Sequence, residues 1–163
     1  MALKIAFLST FLARCGISTY VEELATAMAQ LGHEPIVLAE HTNEPTEPRA
    51  EIPYQRCWTR ERHQDLGSVA SIVRGLGVDV LHIQHEFGIF PNDSAIVEFV
   101  EKVSKDVLTI VTLHTVMLDP QVRSNCYKKL SVLLNYRIIV HTARMAERLV
   151  AVDVNAQIIP HGT

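Results

Sequence analysis

Short apolar segments alternate with longer amphipathic segments along almost the whole chain. The most strand-like segment is Val107–Leu113, written Val-Leu-Thr-Ile-Val-Thr-Leu, and a largely apolar run of this kind is typical of a buried parallel strand. The predicted strands are 4–9, 36–39, 54–58, 78–83, 107–113, 138–140 and 158–159. In the amphipathic segments the apolar positions recur at the spacing of one helix face. The predicted helices are 17–31, 65–76, 95–103, 120–134 and 143–150.

The ends of the predicted helices carry residues that favour helix termini. Gly32 and Gly77 follow the first two helices, as glycine commonly does at a helix C-terminus. Asp93 or Ser94 precedes the third helix and Thr142 precedes the last, where a side-chain oxygen can cap free N–H groups. Strands that alternate with helices predict an α/β fold, with a doubly wound, mostly parallel sheet and helices on both faces.

A glycine separates the first predicted strand from the first predicted helix. The strand Lys4–Ser9 leads into a loop that ends in Gly16. A glycine at this point lets a ligand approach the backbone N–H groups at the positive end of the helix dipole. Many α/β proteins bind phosphate groups in this way, so the start of the chain predicts an anionic ligand.

Length and composition narrow the class of protein. The chain fits one domain, residues 1–163, and an apolar fraction of 48% is enough for a sizeable core. The net charge of −3, from 15 basic and 18 acidic residues, indicates neither a nucleic-acid partner nor a membrane surface. Three cysteines without regular spacing, no signal pattern and no apolar run near the roughly 20 residues of a membrane span favour a cytoplasmic protein.

The residues that follow the predicted strands are the candidate site, because ligands of doubly wound sheets bind beyond the carboxyl ends of the strands. Four of the eight histidines fall there, and a scatter of histidines over surface loops is the alternative interpretation. The strand-end residues are Arg14, Cys15, Gly16, Gln84, His85, Glu86, His114, Thr115, His141, Thr142, Pro160, His161 and Gly162.

Several common types of site do not fit this pattern. Gly16 lacks the further glycines of a dinucleotide-binding motif and of a phosphate loop. His82, His85 and Glu86 do not have the order of a zinc-protease motif, and on a strand the two histidines point to opposite sides. Cys15 has no recognisable base beside it that would make it a nucleophile. No metal site is expected.

Five segments together resemble a known family. They are Cys15–Tyr20, Leu31–His33, Gln84–Phe90 (Gln-His-Glu-Phe-Gly-Ile-Phe), Thr112–Val116 (Thr-Leu-His-Thr-Val) and Ile159–Thr163 (Ile-Pro-His-Gly-Thr). In this order they resemble the N-terminal domain of a family 4 glycosyltransferase, a retaining enzyme of the GT-B fold that uses a nucleotide sugar. The resemblance extends over essentially the whole chain and implies a Rossmann-like domain on the acceptor side of the enzyme.

The resemblance implies an enzyme that moves a sugar from a nucleotide-sugar donor to a sugar or lipid-linked acceptor, in polysaccharide or glycan biosynthesis. The C-terminal domain that binds most of the donor is absent from this sequence, so the chain alone is expected to be inactive. Its uncovered face is expected to favour self-association. No nucleic-acid partner, cofactor or metal is expected. The expected location is the cytoplasm, with membrane association of a full-length enzyme left open.

Individual residues of the chain receive roles in this hypothesis. His114 is the predicted catalytic residue, which the resemblance places as a hydrogen-bonding group beside the donor sugar. Its alternative role is to satisfy strand-end carbonyl groups. The backbone of Gly16 and Ile17 is the predicted donor-phosphate site, since N–H groups there can stabilise the charge that a leaving diphosphate develops. The predicted acceptor contacts are Arg14, His85 and Glu86, with surface or structural roles as the alternative.

Two other functions stay open. The chain could be a stand-alone α/β ligand-binding or regulatory module, or a metal-dependent hydrolase that uses the strand-end histidines. Metal analysis of the purified protein would test the hydrolase. A continuation of the reading frame into a donor-binding domain would favour the transferase.

Overall fold

A parallel sheet lies at the centre of the computed structural model, which describes residues 1–62, 65–135 and 137–162. Its strands are β1 Lys4–Ser9, β2 Glu34–Glu40, β3 Tyr54–Trp58, β4 Val80–His85, β5 Leu108–Leu113, β6 Ile138–Val140 and β7 Gln157–Ile158. Their order across the sheet is β3-β2-β1-β4-β5-β6-β7, and every neighbouring pair is parallel. The strand order reverses between β1 and β4, and doubly wound sheets bind ligands beside such a point.

Helices connect these strands along the described ranges. They are α1 Gly16–Gln30, α2 Asp65–Leu76, α3 Asp93–Val103, α4 Ser124–Leu133 and α5 Ala143–Val150. A short 3₁₀ helix, Pro120–Arg123, precedes α4. Among the residues that the structure describes, none of the helices combines the length and the apolar surface that crossing a bilayer requires.

Side chains of the central strands alternate between the two faces of the sheet. In β1, Phe7 packs in a cluster with Val21 and Ala25 of α1. Its neighbour Leu8 belongs to the cluster on the other face, which contains side chains of α2, α3 and α4. Apolar packing on both faces explains why the strands read as continuous apolar runs. The predicted doubly wound parallel sheet with helices on both faces is confirmed.

Strand β4 continues further than its sequence suggests. Its last residues, Gln84 and His85, are polar, yet they pair in register with Thr112 and Leu113 of β5. The carbonyl of His85 also accepts a hydrogen bond from the N–H of His114 at 2.9 Å. This pairing places Gln84 and His85 inside the sheet, whereas the sequence predicted a loop there.

Two helix starts also differ from the prediction. The fourth predicted helix begins as a 3₁₀ turn and becomes α-helical only at Ser124. The N-cap of α3 is Asn92, whose side chain accepts a hydrogen bond from the N–H of Ala95 at 3.0 Å. The predicted caps, Asp93 and Ser94, lie within the helix. Because Asn, Asp and Ser cap helices about equally well, residue preference could not choose among three adjacent candidates.

Replacing Asn92 by alanine is expected to lower the free energy of unfolding by about 1 kcal/mol, because one N–H in the first turn of α3 loses its partner. Ser94→Ala is the matched control, with an expected change within about 0.5 kcal/mol. Urea denaturation of both variants measures the difference. Equal losses in the two variants would contradict the cap seen in the structure.

Candidate functional site

A cleft of about 500 Å³ opens at the carboxyl edge of the sheet, beside the reversal in strand order. Its walls come from the loop after β1, the start of α1, the segments after β2 and β3, and the loop after β4. The cleft is lined by charges of both signs. Arg14 and Arg60 are the basic residues, and Glu44 and Glu86 are the acidic ones. A polar, mixed-charge cleft of this size suits a ligand with many hydrogen-bonding groups.

The amino end of α1 borders this cleft. Its N-cap, Cys15, is extended (φ −153°, ψ 137°), and the Cys15 side chain makes no capping hydrogen bond. Since the first N–H groups of a helix have no partner within the helix, this end can receive an anion. Gly16 is exposed, and a Cβ added to it would meet no protein atom within 4 Å. The backbone therefore leaves open space where the predicted phosphate site lies.

His114 lies just beyond β5 and is half-buried. Its Nε2 is 2.8 Å from Oε1 of the buried Gln84. Burial, followed by repulsion from His141 and His161, lowers the pKa of His114 to about 3. His114 is therefore a neutral hydrogen-bonding group at neutral pH and not a cation.

Tyr20 stands at the centre of three strand-end histidines and was not among the predicted site residues. Its ring centroid lies 5.2 Å from that of His114, 5.3 Å from that of His141 and 4.8 Å from that of His161. In the sequence, Tyr20 is one of the apolar positions that recur at helical spacing along the first predicted helix. The signal that could have found it is its spacing from Gly16, because residues four apart are neighbours on a helix surface.

Two of the predicted acceptor contacts line the cleft. Arg14 is exposed on the loop before α1, and Glu86 is half-buried after β4. One carboxylate oxygen of Glu86 accepts a hydrogen bond from the N–H of Gly88 at 3.2 Å. The other oxygen, Oε2, is buried and has no hydrogen-bond partner in the structure. Their contact with an acceptor stays a prediction.

The third predicted acceptor contact, His85, lies in the interior. Its side chain is fully buried, with its ring 5.0 Å from that of Phe87 and 5.8 Å from that of Phe90. Neither ring nitrogen has a hydrogen-bond partner in the part of the chain that the structure describes. Burial, followed by the nearby charge of Arg123, lowers its pKa to about 4. In this conformation His85 offers no surface to a ligand, because β4 extends through it.

Arg60 fixes one wall of the cleft. It donates two hydrogen bonds of 2.6 Å to the carboxylate of the buried Glu40 and a third, of 3.1 Å, to the carbonyl of Gly88. The hydrogen bonds to Glu40 raise the pKa of Arg60. This side chain thus connects the end of β2 to the loop that carries Glu86. Arg60 therefore supports the cleft, although the charged residues around it in the sequence are typical of a solvated surface.

The histidines of the carboxyl edge do not form a metal centre in the described part of the chain. Within residues 1–62, 65–135 and 137–162, no three His, Cys, Asp or Glu side chains come together in a way that could hold a metal ion. The hydrolase hypothesis therefore receives no support from this geometry.

Comparison with known proteins bears on the identity of the chain. Residues 15–163 match the sequence model of Glycosyltransferase Family 4. The chain belongs to this family. The match starts at Cys15 and therefore includes Gly16, the strand ends after β4 and β5, and His161. Arg14 lies just outside it.

A solved glycosyltransferase has the same fold as this family 4 domain. The crystal structure of a glycosyltransferase from Rickettsia africae ESF-5 aligns with 98% of this chain at a TM-score of 0.68, with 15% sequence identity. The chain spans 42% of that protein. A search of curated protein sequences finds no significant match. The structural likeness confirms the Rossmann-like α/β fold.

The buried His85 is expected to make the family 4 domain sensitive to acid. An unfolded histidine takes up a proton below about pH 6.5, whereas folded His85, with its pKa lowered to about 4, stays neutral. Its contribution to stability is therefore full above about pH 6.5 and is lost as the pH falls towards 4.

His85→Leu is expected to reduce the stability lost between pH 6.5 and 4.5 by about 2 kcal/mol, because one proton fewer binds to the unfolded state. At pH 7.5 the variant should lie within about 1 kcal/mol of the parent, since it removes two unpartnered buried nitrogens. Urea denaturation across this pH range measures both values. Parallel curves of unfolding free energy against pH for parent and variant would contradict the lowered pKa of His85.

Proposed function

We propose that this family 4 domain forms the acceptor side of a retaining glycosyltransferase that uses a nucleotide-sugar donor. One observation carries the proposal. In a chain of this family, the open amino end of α1 and the His114–Tyr20 cluster share the carboxyl edge of the sheet with a polar cleft of about 500 Å³. That arrangement offers one place for phosphates, one for a sugar and one for an acceptor.

The proposed donor site uses the backbone of Gly16 and Ile17. As the bond from the anomeric carbon to the diphosphate oxygen breaks, negative charge grows on the leaving group. N–H groups and the positive end of the α1 dipole stabilise this charge. On the same face of the sugar, the acceptor oxygen forms the new bond and its proton passes to the leaving phosphate oxygen. This route retains the configuration and needs no basic side chain.

The proposed acceptor site is the cleft between Arg14 and Glu86. Oε2 of Glu86, which is buried and without a protein partner, suits a hydroxyl donor of a sugar or a lipid-linked sugar. Arg14 suits an anionic group on the same molecule. His85 acts here through packing against Phe87 and Phe90, behind the cleft wall.

The remaining donor contacts are proposed to come from a second domain. The chain spans only 42% of the Rickettsia glycosyltransferase, and catalysis in a two-domain cleft requires both halves to hold the reactants. Gly16 and His161 are exposed on the face that such a domain would cover, with Glu86, Phe87 and His114 half-buried there. We place the enzyme in the cytoplasm, in polysaccharide or glycan biosynthesis.

The 163-residue chain is expected to bind nucleoside diphosphates weakly and to transfer no sugar. Amide signals of the first turn of α1 in NMR spectra should shift when a nucleoside diphosphate is added, whereas assays with a panel of nucleotide sugars and acceptors should show no product. Adding a donor-binding domain should restore transfer. Robust turnover by the chain alone would overturn the two-domain proposal, and shifts confined to other surfaces would overturn the phosphate site.

A further inference from the structure

The hydrogen bond between Gln84 and His114 decides which ring nitrogen carries the proton. Nε2 of His114 lies 2.8 Å from Oε1 of Gln84, and a carbonyl oxygen can only accept a hydrogen bond. With Oε1 facing the ring, a neutral His114 holds its proton on Nε2. Gln84 is fully buried, and its own Nε2 has no hydrogen-bond partner among the described residues.

We propose that Gln84 is a positioning residue that holds His114 as the Nε2–H tautomer. The other ring nitrogen, Nδ1, then presents a lone pair and accepts a hydrogen bond from a ligand hydroxyl. His114 would thus recognise a hydroxyl of the donor sugar and not the diphosphate, which needs donors. The ligand part of this inference rests on the proposed function, whereas the tautomer does not.

The surroundings of His114 keep its ring neutral and in place. Protonation would set its charge against His141, His161, His82 and His85, and burial opposes it as well. The ring also meets Tyr20 edge-on at 5.2 Å and His141 at 5.0 Å between centroids. Since a neutral imidazole has one donor and one acceptor, and Gln84 takes the donor, only an acceptor is left for a ligand.

An uncharged amide is the partner that this role requires. A carboxylate at position 84 would also accept from Nε2–H, but its charge would favour the imidazolium form and raise the pKa of His114. A ring charged in that way would have donors on both nitrogens and no acceptor. Glutamine fixes the tautomer and leaves the ring neutral.

A second pair on the same two strands provides a matched control. Nε2 of His82 lies 2.8 Å from Oγ1 of Thr112, and Thr112 is fully buried like Gln84. Each pair joins a residue of β4 to one two positions beyond its register partner: Ile110 pairs with His82, and Thr112 pairs with Gln84. Thr112 pairs in register with Gln84, so Thr112→Val removes the buried polar partner of His82 right beside Gln84 and keeps the Gln84 side chain itself.

The test is the protonation pattern of the His114 ring in the ¹⁵N-labelled 163-residue chain, read from long-range ¹H–¹⁵N correlations at pH 7. The parent should show the Nε2–H tautomer alone. Gln84→Met should lose this single tautomer, and Thr112→Val should keep it. Gln84→Glu should keep the Nε2 proton and raise the pH at which His114 takes up its second proton by about 1 unit or more.

A proton on Nδ1 in the parent, or an unchanged tautomer in Gln84→Met, would overturn the proposal. If Gln84→Met does not fold, the parent spectrum and the titration of Gln84→Glu still decide. An Nε2–H tautomer in an enzyme that transfers no sugar would refute the proposed function and leave the role of Gln84 standing. Sugar transfer by an enzyme whose His114 carries its proton on Nδ1 would refute the role of Gln84 and leave the proposed function standing.

Discussion

Gly16→Val is expected to lower donor turnover by about 10²–10³-fold in an enzyme that joins this domain to a donor-binding domain. The added side chain would occupy the open space beside the amino end of α1, where phosphate oxygens must approach N–H groups, and such contacts are commonly worth this much. Stability should hardly change, because Gly16 does not have a positive φ and a Cβ there meets no atom within 4 Å. Steady-state kinetics and thermal denaturation measure the two effects.

Gly67→Val is the matched control for this variant. Gly67 is also exposed in the first turn of a helix, α2, and a Cβ there likewise meets no atom within 4 Å. Gly67 belongs to α2 and not to α1, so its substitution should leave donor turnover unchanged while imposing a similar helix cost of a β-branched residue. Equal turnover in Gly16→Val and Gly67→Val would show that no phosphate lies against α1.

The fold could be predicted because its pattern is local and repeated. Each strand that is covered on both faces reads as an apolar run, as Val107–Leu113 does, and α2 was predicted with both ends correct at Asp65 and Leu76. The polar end of β4 could not be predicted in this way. Gln84 and His85 become strand residues only through pairing with β5, and a sequence pattern does not show which backbone will lie alongside.

The site was predictable to the extent that parallel strands end at one edge. That rule brought His114, His141 and His161 together before any coordinates were considered. The strand-end rule does not separate residues on the cleft wall from residues behind it. It therefore predicts His85 as a ligand contact, although the His85 side chain is fully buried. It also missed Tyr20, which comes from a helix. The position of a helix residue such as Tyr20 depends on how the helix packs against the sheet, and the order of the strand ends does not show this.

Arg60 illustrates a different limit of sequence reasoning. Its segment is rich in charge and, taken alone, is typical of a solvated surface. Its guanidinium group instead spans Glu40 and the carbonyl of Gly88, which lie far from it along the chain. A single charged side chain can support a cleft wall in this way only because the fold brings the ends of β2 and β4 close together.

His114→Ala is expected to reduce kcat in the two-domain enzyme by about 10²-fold, because a sugar held without this hydrogen bond loses its alignment with the acceptor. The free energy of unfolding should also fall, by about 1–3 kcal/mol, since Gln84 Oε1 then lies buried without its partner. Activity must therefore be expressed per folded molecule, with the folded fraction measured by thermal denaturation on the same preparation.

His33→Ala separates the catalytic role of His114 from a structural one. His33 is also half-buried and uses one ring nitrogen, Nδ1, to accept a hydrogen bond from the N–H of Leu3 at 3.2 Å. It precedes β2 at the amino edge of the sheet, far from the cleft, so its loss should cost stability and leave kcat unchanged. If His114→Ala behaves in the same way, losing stability while the folded enzyme keeps its kcat, then His114 serves the fold alone.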